Sequence, residues 1–221
     1  MYRLLATRPV DAVSRTFQRL DGQNVADAQQ RDALHERLGK PLEALKTWAA
    51  KNGKDSLASL CDTFAGQSQS GLSRVLPGPT GERNTYVLLP RETVLCLADD
   101  EADLLAQLAA ALAVGSNALW ATSELTGKLR GSLPKAVQAR IQLVADWTQA
   151  DVEFDAVLHH GDSDQLRAVC QQVASRKGPI IGVQGLSQGE TAIPLERLLI
   201  ERAISVNTAA AGGNASLMTI G

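Results

Sequence analysis

The sequence of 221 residues lacks several features that would assign a function class at once. Its three cysteines, Cys61, Cys96 and Cys170, are widely spaced, and they form neither a Cys-x-x-Cys pair nor a cluster with histidine. A zinc site and a disulfide framework are therefore not indicated. A reducing compartment such as the cytoplasm fits this cysteine usage best.

The chain also lacks a dense basic stretch and a long apolar one. Its 22 basic and 24 acidic residues give a net charge of −2, and its longest basic cluster is the pair Arg176-Lys177. Nucleic-acid binding by this segment is not indicated, because phosphate contacts need many clustered cations. The start, MYRLLATRPV, has no signal-peptide pattern, and no window has the uninterrupted apolar length of a transmembrane helix.

Residues 10–69 place apolar side chains at three- and four-residue spacings, which predicts three or four short helices and no strand. Pro41 stands where a helix would begin, and Ser56 where one would be capped. This region has one Trp and two Phe, so we expect it to pack against another part of the chain. The polar and Gly/Pro-rich stretch from Gln67 to Pro79 predicts a boundary.

After this boundary, short apolar runs alternate with helical segments. The predicted strands are TVLCLA, NALWA, IQLVADW, FDAVLHH and PIIGVQG, and the longer helices are EADLLAQLAAALAV and GDSDQLRAVCQQVASRKG. Alternation of this kind predicts βαβ units and a mostly parallel sheet. The expected fold is a Rossmann-like α/β domain with flanking helices, preceded by a small helical region and followed by a C-terminal β-flap and tail.

The first strand-to-helix turn of this domain is acidic. A dinucleotide site would offer G-x-G-x-x-G at this turn, but the sequence has Asp99, Asp100, Glu101 and Asp103. These carboxylates complement a helix N-terminus and would repel a phosphate, so acidic capping is predicted. The loop from Gly182 to Glu190 has three glycines, but its spacing matches no phosphate motif and predicts a turn.

Two histidines, His159 and His160, end a predicted strand, where open α/β sheets keep their ligands. Adjacent strand residues point to opposite faces, so the pair cannot ligate one metal without a bulge. No metal ligand is therefore assigned, and a functional role of the pair is left open. Asp162 and Ser163, just after it, are explained as a helix N-cap.

The sequence shows no nucleophilic side chain with an evident general base beside it. Cys96 and Cys170 lie on apolar runs and are predicted to be core residues, whereas Cys61 has no evident base nearby. No serine stands in a G-x-S-x-G elbow. The residues therefore predict a Rossmann-like domain with no catalytic residue, no bound cofactor and no metal.

Three stretches carry a resemblance to a known family: Leu76 to Glu101, Phe154 to Ile180 and, above all, Leu195 to Gly221. They resemble the C-terminal part of the proline utilization A family. Its long members join a flavin-dependent proline dehydrogenase to an NAD-dependent pyrroline-5-carboxylate dehydrogenase. The resemblance implies FAD and NAD in the parent protein and a fold similar to the aldehyde dehydrogenase superfamily, with a projecting β-flap.

The same resemblance shows which residues depart from a working aldehyde dehydrogenase. In a working aldehyde dehydrogenase, a Lys-Pro-x-Glu stretch contacts the cofactor ribose. Here Ala121 occupies the position of the lysine, while Glu124 is retained. Gln184 lies in the counterpart of the general-base element and cannot act as a base. The chain then continues to Leu195 with no room for the half-domain that bears the nucleophilic cysteine.

The resemblance therefore implies a noncatalytic structural domain of a protein that converts proline to glutamate. Such a domain would pack on the aldehyde dehydrogenase module and cover the path of the intermediate between the two active sites. The alternatives are a residual NAD-binding or enzymatic domain and an independent protein-interaction module. The parent protein is expected in the cytoplasm, or as a peripheral protein at the inner membrane.

Three regions are expected: a helical connector at residues 1–76, the noncatalytic domain at 77–202, and a flap and tail at 203–221. The last nineteen residues carry no charge, which predicts that another surface covers them. The expected partners are the two dehydrogenase modules of the same polypeptide, or a second copy of the flap. The candidate interaction residues are Ile204, Val206, Asn207, Thr208, Gly212, Gly213, Asn214, Leu217, Met218 and Ile220.

Overall fold

The structure, a computed structural model, describes residues 28–207 and the side chains of residues 39–206. Its helices are α1 (Ala28–Lys51), α2 (Asp55–Gln67), α3 (Glu101–Val114), α4 (Glu124–Ser132), α5 (Lys135–Gln138) and α6 (Ser163–Ala174), with a 3-10 turn at Leu195–Leu198. Its strands are β1 (Ser73–Leu76), β2 (Glu82–Pro90), β3 (Thr93–Leu97), β4 (Asn117–Ala121), β5 (Ile141–Val144), β6 (Ala156–His160), β7 (Gly182–Leu186) and β8 (Leu199–Asn207).

Five strands form a parallel sheet in the order β5-β4-β3-β6-β7. The chain moves outward from β3 to β5 and then returns to place β6 on the other side of β3. This order is typical of a doubly wound α/β fold, and the reversal between β3 and β6 is its topological switch point. The predicted Rossmann-like fold with flanking helices is therefore confirmed.

Local signals position the central helix α3. Asp100 is its N-cap, and the side chain of Asp100 accepts a hydrogen bond from the backbone N–H of Asp103 at 2.9 Å. At the other end Gly115 takes a left-handed conformation, with φ of 91°, that ends the helix. The sequence predicts both ends of this helix and the whole of β4.

The parallel sheet separates two apolar layers, because successive strand residues point to opposite faces. Val94, Cys96 and Leu158 face the larger layer, which contains α3, while Leu95 and Val157 face a smaller layer that includes side chains of α6. Nearly every side chain of α3 is buried. A helix that is apolar on all sides needs cover on both sides, and here the sheet covers one side and the N-terminal helices the other.

The helices α1 and α2 pack on α3, as predicted from their small number of aromatic residues. Leu45, Ala49 and Phe64 are fully buried in the larger apolar layer.

Two of the expected helix boundaries are wrong. Pro41 lies inside the 24-residue α1 rather than at a helix start, and Lys54, without a side-chain cap, precedes α2 where Ser56 was expected to cap it.

The remaining three strands form an antiparallel sheet in the order β1-β2-β8, which we call the flap. All nine residues of β2 pair with β8, from Glu82 opposite Asn207 to Pro90 opposite Leu199. We call the parallel sheet and the helices packed on it the body. The flap is buried at Val87 to Pro90, where β2 joins the body, and becomes exposed toward Glu82. The predicted β-flap is present, but its strand β8 begins at Leu199 rather than at residue 203, and the sequence analysis predicts neither β1 nor β2.

The strand predicted over PIIGVQG is shifted toward the C-terminus. The structure has β7 at Gly182–Leu186, so part of the predicted Gly182–Glu190 turn is strand. Pairing with β6 begins only where Gly182 lies opposite Ala156. Ile180, which the apolar pattern places inside a strand, is 94% exposed just before it.

Candidate functional site

A cleft of about 580 Å³ lies at the carboxyl edge of the parallel sheet, beside the switch point. Its lining comes from the ends of β3, β4 and β6 and from the helices that follow them. Ligands of open α/β sheets bind at this place, so its side chains decide whether the fold can bind a nucleotide.

Two buried or partly buried carboxylates order the first turn of α3 beside this cleft. Asp100 caps the helix, and accepting the backbone N–H of Asp103 lowers the pKa of the Asp100 carboxyl. Asp103 is buried, and its two oxygens lie 3.0 and 3.2 Å from the backbone N of Gly189, which donates to them. Burial raises the pKa of the Asp103 carboxyl. These two carboxylates therefore hold a helix end and a loop in place.

The other two carboxylates of the acidic turn are also engaged. Asp99 accepts a hydrogen bond from the side-chain amide of Gln165 at 3.2 Å. Glu101 forms an ion pair with Lys54 at 2.6 Å, which links α3 to the start of α2. Acidic capping is confirmed for Asp100, and a phosphate at this turn would lie close to the Asp100 cap and to Asp99, which lines the cleft.

His160 is buried within a hydrogen-bonded network that spans three elements. The side-chain amide N of Gln107 donates to the carbonyl of Leu97 at 2.9 Å and lies 2.7 Å from His160 Nδ1. His160 Nε2 lies 2.8 Å from the carbonyl of Glu190. Since a carbonyl only accepts and the amide N only donates, Nε2 is the donor of this ring and Nδ1 its acceptor. His160 therefore anchors the loop after β7.

His159 points to the other face of the sheet, as strand geometry predicts. It is buried, it lines the cleft, and its Nδ1 has no hydrogen-bond partner in the structure. Burial lowers the pKa of His159, which favours its neutral form. A Cβ on Gly161 would lie 2.3 Å from Gln165 Oε1 and 2.6 Å from His159 Cε1, so both side chains would have to shift. His160 therefore belongs to the hydrogen-bonded network with Gln107, whereas His159 lines the cleft on the other face.

The cysteines do not pair with a base among the described residues. Burial raises the pKa values of the Cys61 and Cys96 thiols to about 12, and both stay protonated near neutral pH. The prediction that Cys170 is a core residue is wrong, because it is exposed on the outer side of α6. Between residues 28 and 207, no group of three or more His, Cys, Asp or Glu side chains could hold a metal ion.

The flap presents a different kind of surface. Ile204, Val206 and Asn207, three of the candidate interaction residues, lie in β8 and pair with β2 through Thr85, Arg83 and Glu82. β8 is at the end of the strand order, so within the described part of the chain its outer edge pairs with no strand. The other candidates lie outside the described residues: Thr208, Gly212, Gly213, Asn214, Leu217, Met218 and Ile220.

Apolar side chains are exposed on both outer strands of the flap. Val206 is 49% exposed and Ile200 42% exposed on β8, and Val75 is 62% exposed on β1. The parallel sheet has no such exposure, since its central strands are buried through most of their length. Exposed apolar side chains beside an unpaired strand edge are typical of a surface that binds another chain.

Two arginines with structural roles are missed by the sequence analysis. Arg91 and Arg176 donate to backbone carbonyls of distant loops, Arg91 to Asp155 at 3.1 Å and Arg176 to Trp147 at 3.2 Å. The guanidinium of Arg176 also stacks over the ring of Phe154 at 4.7 Å. Carbonyl acceptors exist at every residue, so no sequence motif marks these contacts.

Comparison with solved structures shows which class of fold this is. The chain is similar to proline utilization A of Bradyrhizobium japonicum, with a TM-score of 0.51 and 17% identity over 82% of this chain and 23% of that one. It is also similar to betaine aldehyde dehydrogenase of Staphylococcus aureus, with a TM-score of 0.50 and 17% identity over 68% of this chain and 37% of that one. The protein is an α/β domain with an aldehyde dehydrogenase type of fold.

Sequence comparison identifies homologues of the chain, although no profile of a known family matches it. The chain is 57% identical to bifunctional protein PutA of Salmonella typhimurium and 56% identical to that of Escherichia coli, in both cases over all 221 residues. It is also 45% identical over 180 residues to PutA of Rhizobium meliloti. The chain is a homologue of the bifunctional PutA proteins and spans about 16% of the length of the first two.

No helix between residues 28 and 207 is long and apolar enough to cross a membrane.

Proposed function

We propose that this chain is a noncatalytic structural segment of a PutA-type protein that oxidises proline to glutamate by way of pyrroline-5-carboxylate. Its function is to support the aldehyde dehydrogenase module and to cover the path of the intermediate between the two active sites. The flap carries this proposal, because it exposes apolar side chains on a strand whose outer edge is unpaired in the described residues.

Pairing with another module would complete the flap. An extended segment added beside β8 would satisfy the outward backbone N–H and C=O groups and would cover Ile200 and Val206. The partner that we propose is the aldehyde dehydrogenase module of the same polypeptide, and a second copy of the flap is the alternative. The tail that follows, residues 208–221, carries no charge, and we expect the same partner to cover it.

The residues of the carboxyl edge support a noncatalytic role. Asp100 already accepts from the first turn of α3, Asp99 lines the cleft there, and Glu101 and Asp103 belong to the same turn. These residues do not fit a dinucleotide. We therefore assign the FAD and the NAD of the parent protein to its two dehydrogenase modules, and we expect the whole protein in the cytoplasm or peripherally at the inner membrane.

Deletion of Ser205 to Gly221 in the full-length protein tests the proposed function. We expect the aldehyde dehydrogenase step and the transfer of the intermediate to be impaired, while proline oxidation stays largely intact. The measurements are the rates of the two half-reactions and the lag before NADH forms from proline. A deletion protein that keeps the wild-type rates and lag would contradict the proposal.

The cleft supports one alternative function, a residual nucleotide-binding site. It is large enough for part of a cofactor, and His159 Nδ1 is an unpartnered buried polar atom beside it. Calorimetric titration of the 221-residue chain with NAD distinguishes this nucleotide-binding site from the noncatalytic role. Saturable binding would favour the alternative, whereas we expect none because of the four carboxylates.

A further inference from the structure

The flap and the body are joined by a short linker that carries one half-buried arginine. β2 ends at Pro90 and β3 begins at Thr93, so only Arg91 and Glu92 lie between the antiparallel flap and the parallel sheet. The second crossing, from the body into β8, is the 3-10 turn at Leu195–Leu198. The direction of the flap depends on how these two crossings are held together.

Arg91 contacts both crossings and the body. Its Nε donates to the carbonyl of Arg197 at 3.1 Å, and its backbone N donates to the carbonyl of Leu198 at 2.9 Å. Its Nη1 donates to the carbonyl of Asp155, the residue before β6, at 3.1 Å. The Arg91 carbonyl accepts from Ser116 Oγ, just before β4, at 2.6 Å.

Asp155, in the body, holds the linker between β2 and β3 through hydrogen bonds to its backbone. One oxygen of this carboxylate accepts the backbone N–H groups of Glu92 and Thr93, each at 3.1 Å. Its charge also favours the protonated form of Arg91, although burial is the larger influence and lowers the pKa of the guanidinium. A charged group that is partly removed from water must keep its hydrogen bonds, so its geometry is strongly constrained.

We infer that Arg91 is a positioning residue that fixes the direction in which the flap projects from the parallel sheet. The inference rests on the proposed function, since it concerns how the flap is presented to the module that it covers. A rigid flap loses little conformational freedom on docking, which favours association. A flap joined to the body only by two flexible crossings would lose more conformational freedom on docking.

The test uses the full-length protein with Arg91→Ala and Arg91→Lys. The control is Arg167→Ala, which removes an exposed arginine that pairs with Asp164 on α6. Hydrogen exchange is measured on peptides from β2 and β8 and on peptides from β3 and β6. We expect Arg91→Ala to increase exchange in the flap roughly tenfold, with little change in the central sheet, because charge-assisted contacts at the joint are lost.

Arg91→Lys should fall between Arg91→Ala and the wild type, because an ammonium can reach one of the two carbonyls but lacks the planar fork that contacts both. The inference is overturned if the flap in Arg91→Ala exchanges as it does in Arg167→Ala. It is also overturned if exchange rises equally in β3 and β6, which would indicate general destabilisation.

A separate measurement distinguishes failure of the inference from failure of the proposed function. If Arg91→Ala loosens the flap and lowers the aldehyde dehydrogenase rate, both are supported. If it loosens the flap and leaves that rate unchanged, Arg91 still positions the flap, but the flap does not support the module.

Discussion

The central strands of the parallel sheet are buried on both faces, whereas the outer strands of the flap are exposed. β6 is buried at every residue, whereas β8 is exposed or half-buried at every residue from Ile200 to Val206. The sheet is covered by α3 on one face and by α6 on the other. A strand that pairs along its whole length and remains exposed is stabilised by its ladder but not by a core. The exposed outer strand of the flap is the observation behind the proposal that the flap binds another module.

The N-terminal helices belong with the sheet in this comparison. The narrow apolar faces of α1 and α2 predict that these helices open more readily than the rest of the chain, which amide exchange would measure. The structure shows that they bury Leu45 and Phe64 in the same layer as α3. Residues 39–67 therefore contribute to the core of the α/β domain, whatever their role as a connector.

The largest effect is expected from Phe64→Ala in α2. Phe64 is fully buried against α3, so its removal should lower the free energy of unfolding by about 3–5 kcal/mol. Thr63→Ala, on the exposed side of the same helix, is the matched control and should change it by less than about 0.5 kcal/mol. Urea unfolding of the 221-residue chain measures both. A small effect of Phe64→Ala would mean that the helices are not part of the core.

An intermediate effect, with opposite signs, is expected from the two carboxylates of the α3 turn. The folded-state pKa of Asp100 is lowered, chiefly by its hydrogen bond from the Asp103 backbone, so its stabilising contribution is lost as pH falls through that pKa. The folded-state pKa of Asp103 is raised by burial, so its contribution is fully present below the unfolded-state pKa and is lost as pH rises through the folded one.

Asp100→Asn and Asp103→Asn therefore form a matched pair. Between about pH 3 and pH 7, the cost of Asp100→Asn relative to wild type should grow with pH, and the cost of Asp103→Asn should shrink. Urea unfolding at several pH values measures both trends. Parallel trends in the two variants would show that burial of Asp103 does not dominate its ionisation.

The smallest effect on stability is expected in the flap. Val206→Ser should change the free energy of unfolding of the 221-residue chain by less than about 0.5 kcal/mol, because this side chain is already half exposed. In the full-length protein it should nevertheless slow the aldehyde dehydrogenase step. Ile180→Ser, which removes an exposed apolar side chain from the body, is the control and should leave that step unchanged. Equal behaviour of the two variants would remove the distinction between flap and body.

Much of the α/β fold can be predicted from the sequence, because its signals are local. The apolar run of α3 lies between an Asp N-cap and a C-terminal glycine, and both ends follow from the chemistry of helix termini. The alternation of apolar strands with capped helices similarly predicts the parallel sheet. Pro41 shows the limit, since a proline that suits a helix start is tolerated inside α1.

Part of the candidate site could be predicted for the same reason. The acidic turn from Asp99 to Asp103 excludes the glycine motif of a dinucleotide site whatever the surrounding structure. Adjacent histidines on a strand must also face different layers. The sequence could not show that His160 and Asp103 both hold the loop of Gly189 and Glu190, because these residues come from separate elements.

What the sequence by itself determined is therefore the strands and main helices of the parallel α/β domain, the absence of a phosphate motif at the first turn and the uncharged character of residues 203–221. Only the tertiary structure decided that β1 joins the flap, that Cys170 is exposed and that Arg91 connects the flap to the body. The physical reason is the range of the interactions. Caps and apolar periodicity act within a few residues, whereas the carbonyl partners of Arg91 lie 64 and 106 residues away and are brought to it by the fold.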